Sequence, residues 1–253
     1  MTLPLTDKVA VITGAANGVG LGIAQEFAEN GARVVITDLH REELDAAVAK
    51  IGGDCVGIVA DVTVLAGMEA LYEQVKDRYG RLDTVVANAG VGAHAPLGAI
   101  TEEQFDRTFG VNAKGVLFTV QPALPLLPPG GTVVVIGSTA SIEPPRGMGL
   151  YGGSKAAVRA FVRSWIQDIK GSGVRMNVLS PGAVDTESLR RALAMAQGAD
   201  HVDAAIELMG EGNPTGRIAD PREMGKAAVF LSSDASSFVT GVELFVDGGM
   251  AQV

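Results

Sequence analysis

VAVITGAANGVG, residues 9–20, carries the chain from an apolar run, Val9-Ala10-Val11-Ile12, through glycines 14, 18 and 20 into a helix-like pattern over 21–29. A glycine-rich turn between a strand and a helix presents unpaired backbone N–H groups and the positive end of a helix dipole, a setting that suits an anion. The same glycines would also serve close packing of helix on strand with no ligand at all. The spacing matches neither G-x-G-x-x-G nor G-x-x-x-x-G-K-[ST], and with no lysine after Gly20 a triphosphate-hydrolysing site is disfavoured.

Working outward, short runs rich in Val and Ile alternate with longer amphipathic stretches, the signal for βαβ units. Strands are expected over 9–13, 33–37, 55–59, 84–87, 132–136, 175–179 and 243–246, and helices over 18–30, 41–51, 66–79, 102–127, 152–170 and 221–231. The fold class is therefore α/β, a doubly wound parallel seven-stranded sheet of Rossmann type, with residues 1–253 as a single domain. Residues 185–214 break the rhythm, and a stretch that long is read either as a helical lid over a site or as a surface excursion with two short helices.

The balance of 20 Lys and Arg against 29 Asp and Glu gives a net charge of -9, which argues against nucleic-acid or anionic-membrane partners. A small-molecule partner becomes the default. Cys55 stands alone in an apolar run and reads as a buried small hydrophobe; the single cysteine permits no intrachain disulfide. No leader pattern or apolar stretch of about 18 residues is present, so a cytoplasmic protein is expected. No metal is expected.

In such sheets ligands bind beyond the carboxyl ends of the strands. Asp38 ends the second strand, where its carboxylate suits ribose hydroxyls and repels a 2′-phosphate; it also suits the N-cap of the next helix. His40 and Arg41, close behind, offer an alternative hold on a phosphate. Tyr151 and Lys155 stand four apart on one helix face, where an ammonium can stabilise a phenolate. Ser138 follows the fifth strand, Asn88 the fourth and Pro181-Gly182 the sixth, with Thr186 four residues beyond Gly182 and Asn112 in the helix before the fifth strand. Hydroxyls and amides at one sheet edge can orient a substrate.

From TGAANGVG through Asp61-Val62, NAG, Asn112, Ser138, YGGSK and PGAVDT to VTGVELFVDGG, the chain resembles the short-chain dehydrogenase/reductase family along essentially its whole length. The interval of thirteen residues from Ser138 to Tyr151 fits that family and favours Ser138 over Thr139 and Ser141 as its serine. The resemblance implies a hydride-transferring oxidoreductase acting on a secondary alcohol or ketone. Tyr151 would be the general acid/base, Lys155 would lower its pKa and hold the nicotinamide ribose, Ser138 would bond the reacting oxygen, and Asn112 would hold a relay water. Cofactor contacts would come from Gly14, Asn17, Gly18, Val19, Gly20, Asp38, Leu39, Asp61, Val62, Asn88, Ala89, Gly90, Pro181, Gly182, Val184 and Thr186, besides Tyr151 and Lys155. NAD is expected rather than NADP on the charge of Asp38, and Asn17 agrees with it, occupying a position where NADP-preferring relatives frequently carry Arg or Lys.

Gly137, where a second serine is common, and Ala87, where an asparagine often precedes NAG, depart from the pattern without touching a catalytic role. Met148, Leu189 and Leu193 are the expected substrate contacts beside Ser138 and Tyr151, with His94, Glu143 and Arg146 as polar neighbours or solvated loop residues. Ala157, Phe161 and Trp165 form a stripe that suits the core; in the resembling family this helix and the one before it pair between subunits and the C-terminal strand VELFVDGG makes a second contact, which implies a homotetramer, with a dimer as the alternative. A catalytically silent NAD-binding sensor is the competing function, and the complete set Asn112, Ser138, Tyr151 and Lys155 argues against it.

Overall fold

The structure is a computed structural model that describes residues 2–251. Its seven strands are β1 (Val9–Thr13), β2 (Arg33–Asp38), β3 (Cys55–Val59), β4 (Thr84–Ala87), β5 (Thr132–Ile136), β6 (Arg175–Pro181) and β7 (Glu243–Val246). All pairings are parallel, in the order β3-β2-β1-β4-β5-β6-β7. The order reverses between β1 and β4, which opens a crevice at their carboxyl ends.

Helices α1 (Gly18–Glu29), α2 (Arg41–Ile51) and α9 (Pro221–Ser232) cover one face. On the other lie α3 (Leu65–Tyr79), α5 (Gly115–Val120) and α6 (Gly149–Asp168). Both faces are thus buried, which is why the central strands read as unbroken apolar runs. Along β1, Ala10 and Ile12 join the first core with Ile23, Phe27 and Met224, while Val9 and Val11 join the second with Met68, Tyr72 and Val158. Cys55 is buried as expected, and desolvation with Asp54 nearby pushes its thiol up to about 12.

The helix expected over 102–127 is broken. Helix α4 (Glu102–Phe109) opens with a capping box between Thr101 and Gln104, then gives way to a π turn at Gly110–Lys114 before α5. A 3-10 segment, Gln121–Leu126, follows, and Pro122 and Pro125 within it remove the amide donors a continuing α-helix would need. Residues 185–214 contain α7 (Glu187–Gln197) and α8 (Val202–Glu211), linked by Arg190, which bonds both Asp185 (2.6 and 2.8 Å) and Asp203 (2.8 Å).

Helices α1 and α9 meet with almost no side chain between them. A Cβ at Gly225 would lie 2.7 Å from the Gly22 carbonyl oxygen and 2.8 Å from Glu26 Cβ, and one at Gly22 would lie 2.5 Å from the Pro221 carbonyl carbon. Beside this crossing, Arg222 bonds Glu26 at 2.8 Å and also Glu29. Gly225→Val is expected to force the helices apart and cost about 3 kcal/mol of stability, read from urea unfolding; an unchanged midpoint would show that the crossing yields freely.

Candidate active site

The glycine turn is locked onto the end of β4. The Asn88 side-chain amide donates to the carbonyls of Thr13 and Gly14, both at 2.8 Å, and the Thr13 hydroxyl accepts from the backbone N–H of Asn88 (3.1 Å) and Ala89 (3.2 Å). Gly14 has a φ of +62°, and a Cβ there would meet the Ala89 backbone at 2.7 Å; one at Gly20 would collide with the Gly14 carbonyl. Glycine is required at both places by backbone against backbone. Gly18 lies under Thr186, whose methyl is 3.4 Å from the position a Cβ would take. Gly14, Gly18, Gly20, Asn88, Ala89 and Thr186, spread over three segments of sequence, thus gather at the crevice, with Asn17 exposed and Val19 half-buried in the same turn.

Asp38 reaches backward. Its carboxylate accepts from Ala16 N (3.1 Å) and Leu39 N (2.8 Å), while His40 occupies the N-cap position of α2 without a side-chain bond. The N-cap role for Asp38 therefore does not hold: His40 stands at the cap, and the Asp38 carboxylate turns back onto the glycine turn through Ala16 N. Arg41 is turned away, donating to Asp45 (3.4 Å) and to the Gly57 carbonyl (3.2 Å). Asp61 is engaged with Thr63, accepting from its N–H and hydroxyl at 2.8 Å each, and Val62 is buried against Gly115.

Lys155 is buried, donates to the Ile136 carbonyl at 2.8 Å, and has its ammonium 5.9 Å from the centre of the Tyr151 ring. Desolvation pulls it down to about 8. The Tyr151 phenol is displaced upward by burial, with the Ser138 hydroxyl's hydrogen bond drawing it partway back. The upward displacement runs opposite to the depression implied by the resemblance: the surroundings that strip water from the phenol strip it from the ammonium too, and Lys155 spends a proton on Ile136. A phenol held protonated is suited to giving a proton.

Asn112 sits within the π turn, fully buried. Its Oδ1 accepts from Val91 N (2.8 Å) and its Nδ2 donates to Val91 O and Ser154 Oγ, both at 3.0 Å, so neither donor is left for a water. A Cβ at Gly90 would fall 3.4 Å from Asn112 Oδ1 and 3.5 Å from Lys155 Nζ, which places all three together. Gly182 abuts Asp247, and Val184 pairs with Ala219 by a single bridge beyond Pro181. Met148 is half-buried in the turn entering α6, and Leu189 and Leu193 are half-buried one turn apart on α7. His94 packs over Gly147, where the Ala95 N–H donates to the Gly147 carbonyl at 2.8 Å, while Glu143 and Arg146 are exposed.

Thr13 and Ser154 went unnoticed in the sequence. Thr13 directly precedes Gly14 and ends a buried strand, a signal that was available; Ser154, bonded to the Tyr151 carbonyl at 2.7 Å, looks like an ordinary small helix residue. Among the described residues, no group of three or more His, Cys, Asp or Glu could hold a metal ion, and no helix is long and apolar enough to cross a membrane.

Residues 14–251 match the family model described as enoyl-(acyl carrier protein) reductase. The chain is 43% identical over 251 residues to oxidoreductase asL5 of Sarocladium schorii, covering 98% of each, and 35% identical over 247 residues to hydroxynaphthalene reductase arp2 of Aspergillus fumigatus, covering 94% of this chain and 90% of that one. It superposes on ligand-free aldohexose dehydrogenase of Thermoplasma acidophilum with a TM-score of 0.91 at 28% identity, covering 98% of this chain and 96% of the other.

The folded Lys155 value lies below the ordinary 10.5, so the unfolded chain binds the extra proton between about pH 8 and 10.5 and stability rises with pH across that window. Lys155→Met removes the titration. Its stability relative to the parent, from denaturant unfolding of the cofactor-free protein, is expected to fall by about 3 kcal/mol as pH rises through the window; a constant difference would show Lys155 to be unperturbed.

Proposed function

The chain belongs to the short-chain dehydrogenase/reductase family, oxidoreductases that use a nicotinamide cofactor, and from that premise we propose that it is an NAD(H)-dependent reductase of ketones and dehydrogenase of the matching secondary alcohols. The observation that carries the reading is the convergence of Tyr151, Ser138 and Lys155 beside the glycine turn.

The residues fit the cofactor. Where a Cβ at Gly14 would strike Ala89, the glycine turn leaves its backbone open at the N-terminus of α1, a cradle for a pyrophosphate. Asp38, held against Ala16 and Leu39, retains carboxylate lone pairs for the adenine ribose hydroxyls. Its charge disfavours a 2′-phosphate, and Arg41, committed to Asp45 and Gly57, does not counter it. Asp61 and Val62 would border the adenine, and Val184 and Thr186 the carboxamide. When bound, the nicotinamide supplies the hydride.

The chain's own residues manage the oxygen. Tyr151 donates its proton to the carbonyl oxygen, and Ser138 donates a hydrogen bond to the same atom. Lys155 anchors the ribose, and with its lowered pKa can return a proton to the phenolate. Asn112 positions this group by pinning Val91 and Ser154, so any relay water would meet its main chain. Met148, Leu189 and Leu193 would give the substrate an apolar wall, with α7 and α8 as the lid. A homotetramer is supported by the exposed Phe105, stacked on Phe109, and by the stacked, half-buried Phe161 and Trp165 of α6.

Consumption of NADH and NADPH against a panel of ketones, diketones and keto-sugars tests this. Turnover with NADH is expected, with Tyr151→Phe lowering kcat by roughly 10²-fold or more while cofactor binding persists; full activity in that variant would sink the assignment. Asp38→Ser is expected to narrow the NADH preference by about tenfold, and a parent that uses NADPH equally well would overturn the cofactor reading.

A further inference from the structure

Glu243 opens β7 with its side chain 9% exposed, and three elements bond it. Ser180 on β6 donates to Oε1 at 2.8 Å, Ser141 donates to the same oxygen at 3.1 Å, and Arg159 of α6 reaches Oε2 at 3.3 Å. Ser141 ends the 3-10 turn Thr139–Ser141 that Ser138 begins: Ser141 N donates to Ser138 O at 2.9 Å, and Ser138 Oγ accepts from Ala140 N at 3.1 Å. Gly137 belongs to the same device, since the Ser180 hydroxyl fills the place its Cβ would take. On the far side, a Cβ at Gly152 would sit 2.5 Å from the Ala140 carbonyl oxygen, so α6 presses on the turn with no room to spare.

We propose that Glu243 is a positioning residue which, through Ser141, fixes the turn carrying Ser138 against α6 and so sets the Ser138 hydroxyl on Tyr151. A buried carboxylate needs partners to offset its lost hydration, and two hydroxyls and a guanidinium from separate elements satisfy it only in one arrangement of the turn. The Ser138 hydroxyl is the group that draws the Tyr151 phenol down, and Lys155 is the cation facing that phenol. The inference rests on the roles given above to Ser138 and Tyr151.

Ser141→Ala cuts the link to the turn and leaves Ser180 and Arg159 on Glu243. The test is an ultraviolet titration of tyrosinate in the cofactor-free protein, with Tyr151→Phe subtracted to isolate Tyr151 from Tyr72 and Tyr79. The Tyr151 midpoint is expected to move to higher pH in Ser141→Ala and in Glu243→Gln, and to return in Ser141→Thr. With a ketone substrate, kcat is expected to fall roughly tenfold in Ser141→Ala with KM for NADH unchanged. An unmoved midpoint in Ser141→Ala overturns the proposal even if kcat falls, because packing alone would then explain the loss; should Glu243→Gln fail to fold, the Ser141 pair still decides. Activity retained by Tyr151→Phe would instead sink the reading of the site itself.

Discussion

Everything at the crevice depends on the Asn88 amide held between the Thr13 and Gly14 carbonyls. It joins β1 to β4 where the strand order reverses, and it closes the space beside Gly20 while its neighbour Ala89 closes that beside Gly14. Both of those turn carbonyls thereby gain a hydrogen-bond donor within the protein. Asp38 braces the same turn from the side through Ala16 N. The cradle is therefore preformed by hydrogen bonds within the protein, and a bound anion need not organise it.

Burial then sets the protonation states. Lys155 is taken out of water in a chain whose net charge is -9, yet among the described residues no carboxylate is bonded to it; the Ile136 carbonyl is its acceptor. A carboxylate there would hold the ammonium firmly charged, whereas a carbonyl leaves it near the point where it can release a proton close to neutrality. The π turn at Asn112 serves the same centre: the local widening of the helix lets one buried amide bond both backbone groups of Val91 and Ser154 besides.

The strands were legible almost to the residue, because strands buried on both faces by parallel pairing are continuous β-branched runs bounded by polar or glycine-rich turns. Ends moved only where tertiary pairing extended them, as at Ser180 and Pro181 beside β7. The break at Gly110–Lys114 was not legible, since Gly110 and Asn112 only weaken a helix locally and the π turn is accompanied by bonds from Asn112 to Val91, 21 residues away. Gly14, Gly18, Gly20, Asn88, Ala89 and Thr186 could be named from motif and spacing, and they lie near one another in the fold. The direction of Asp38 and the upward displacement of Tyr151 depend on which long-range partners win, and one-dimensional spacing does not carry that competition.

The last strand shows why such information stays hidden. β7 supplies no residue that a motif would place in the site, and it lies at the sheet edge with its residues half-buried, although the Glu243 side chain is almost covered. Yet its first residue, Glu243, holds the turn after β5, while Asp247, just past its end, abuts Gly182 and receives the Asn213 amide on its carbonyl at 2.9 Å, at the foot of α8. Asp247 is in turn fixed by the backbone N–H groups of Gly249 and Ala251 at 2.9 and 2.8 Å. One four-residue strand thus braces both walls of the cleft, the one bearing Ser138 and the one leading to Thr186, and a shift in its register against β6 would reach both at once.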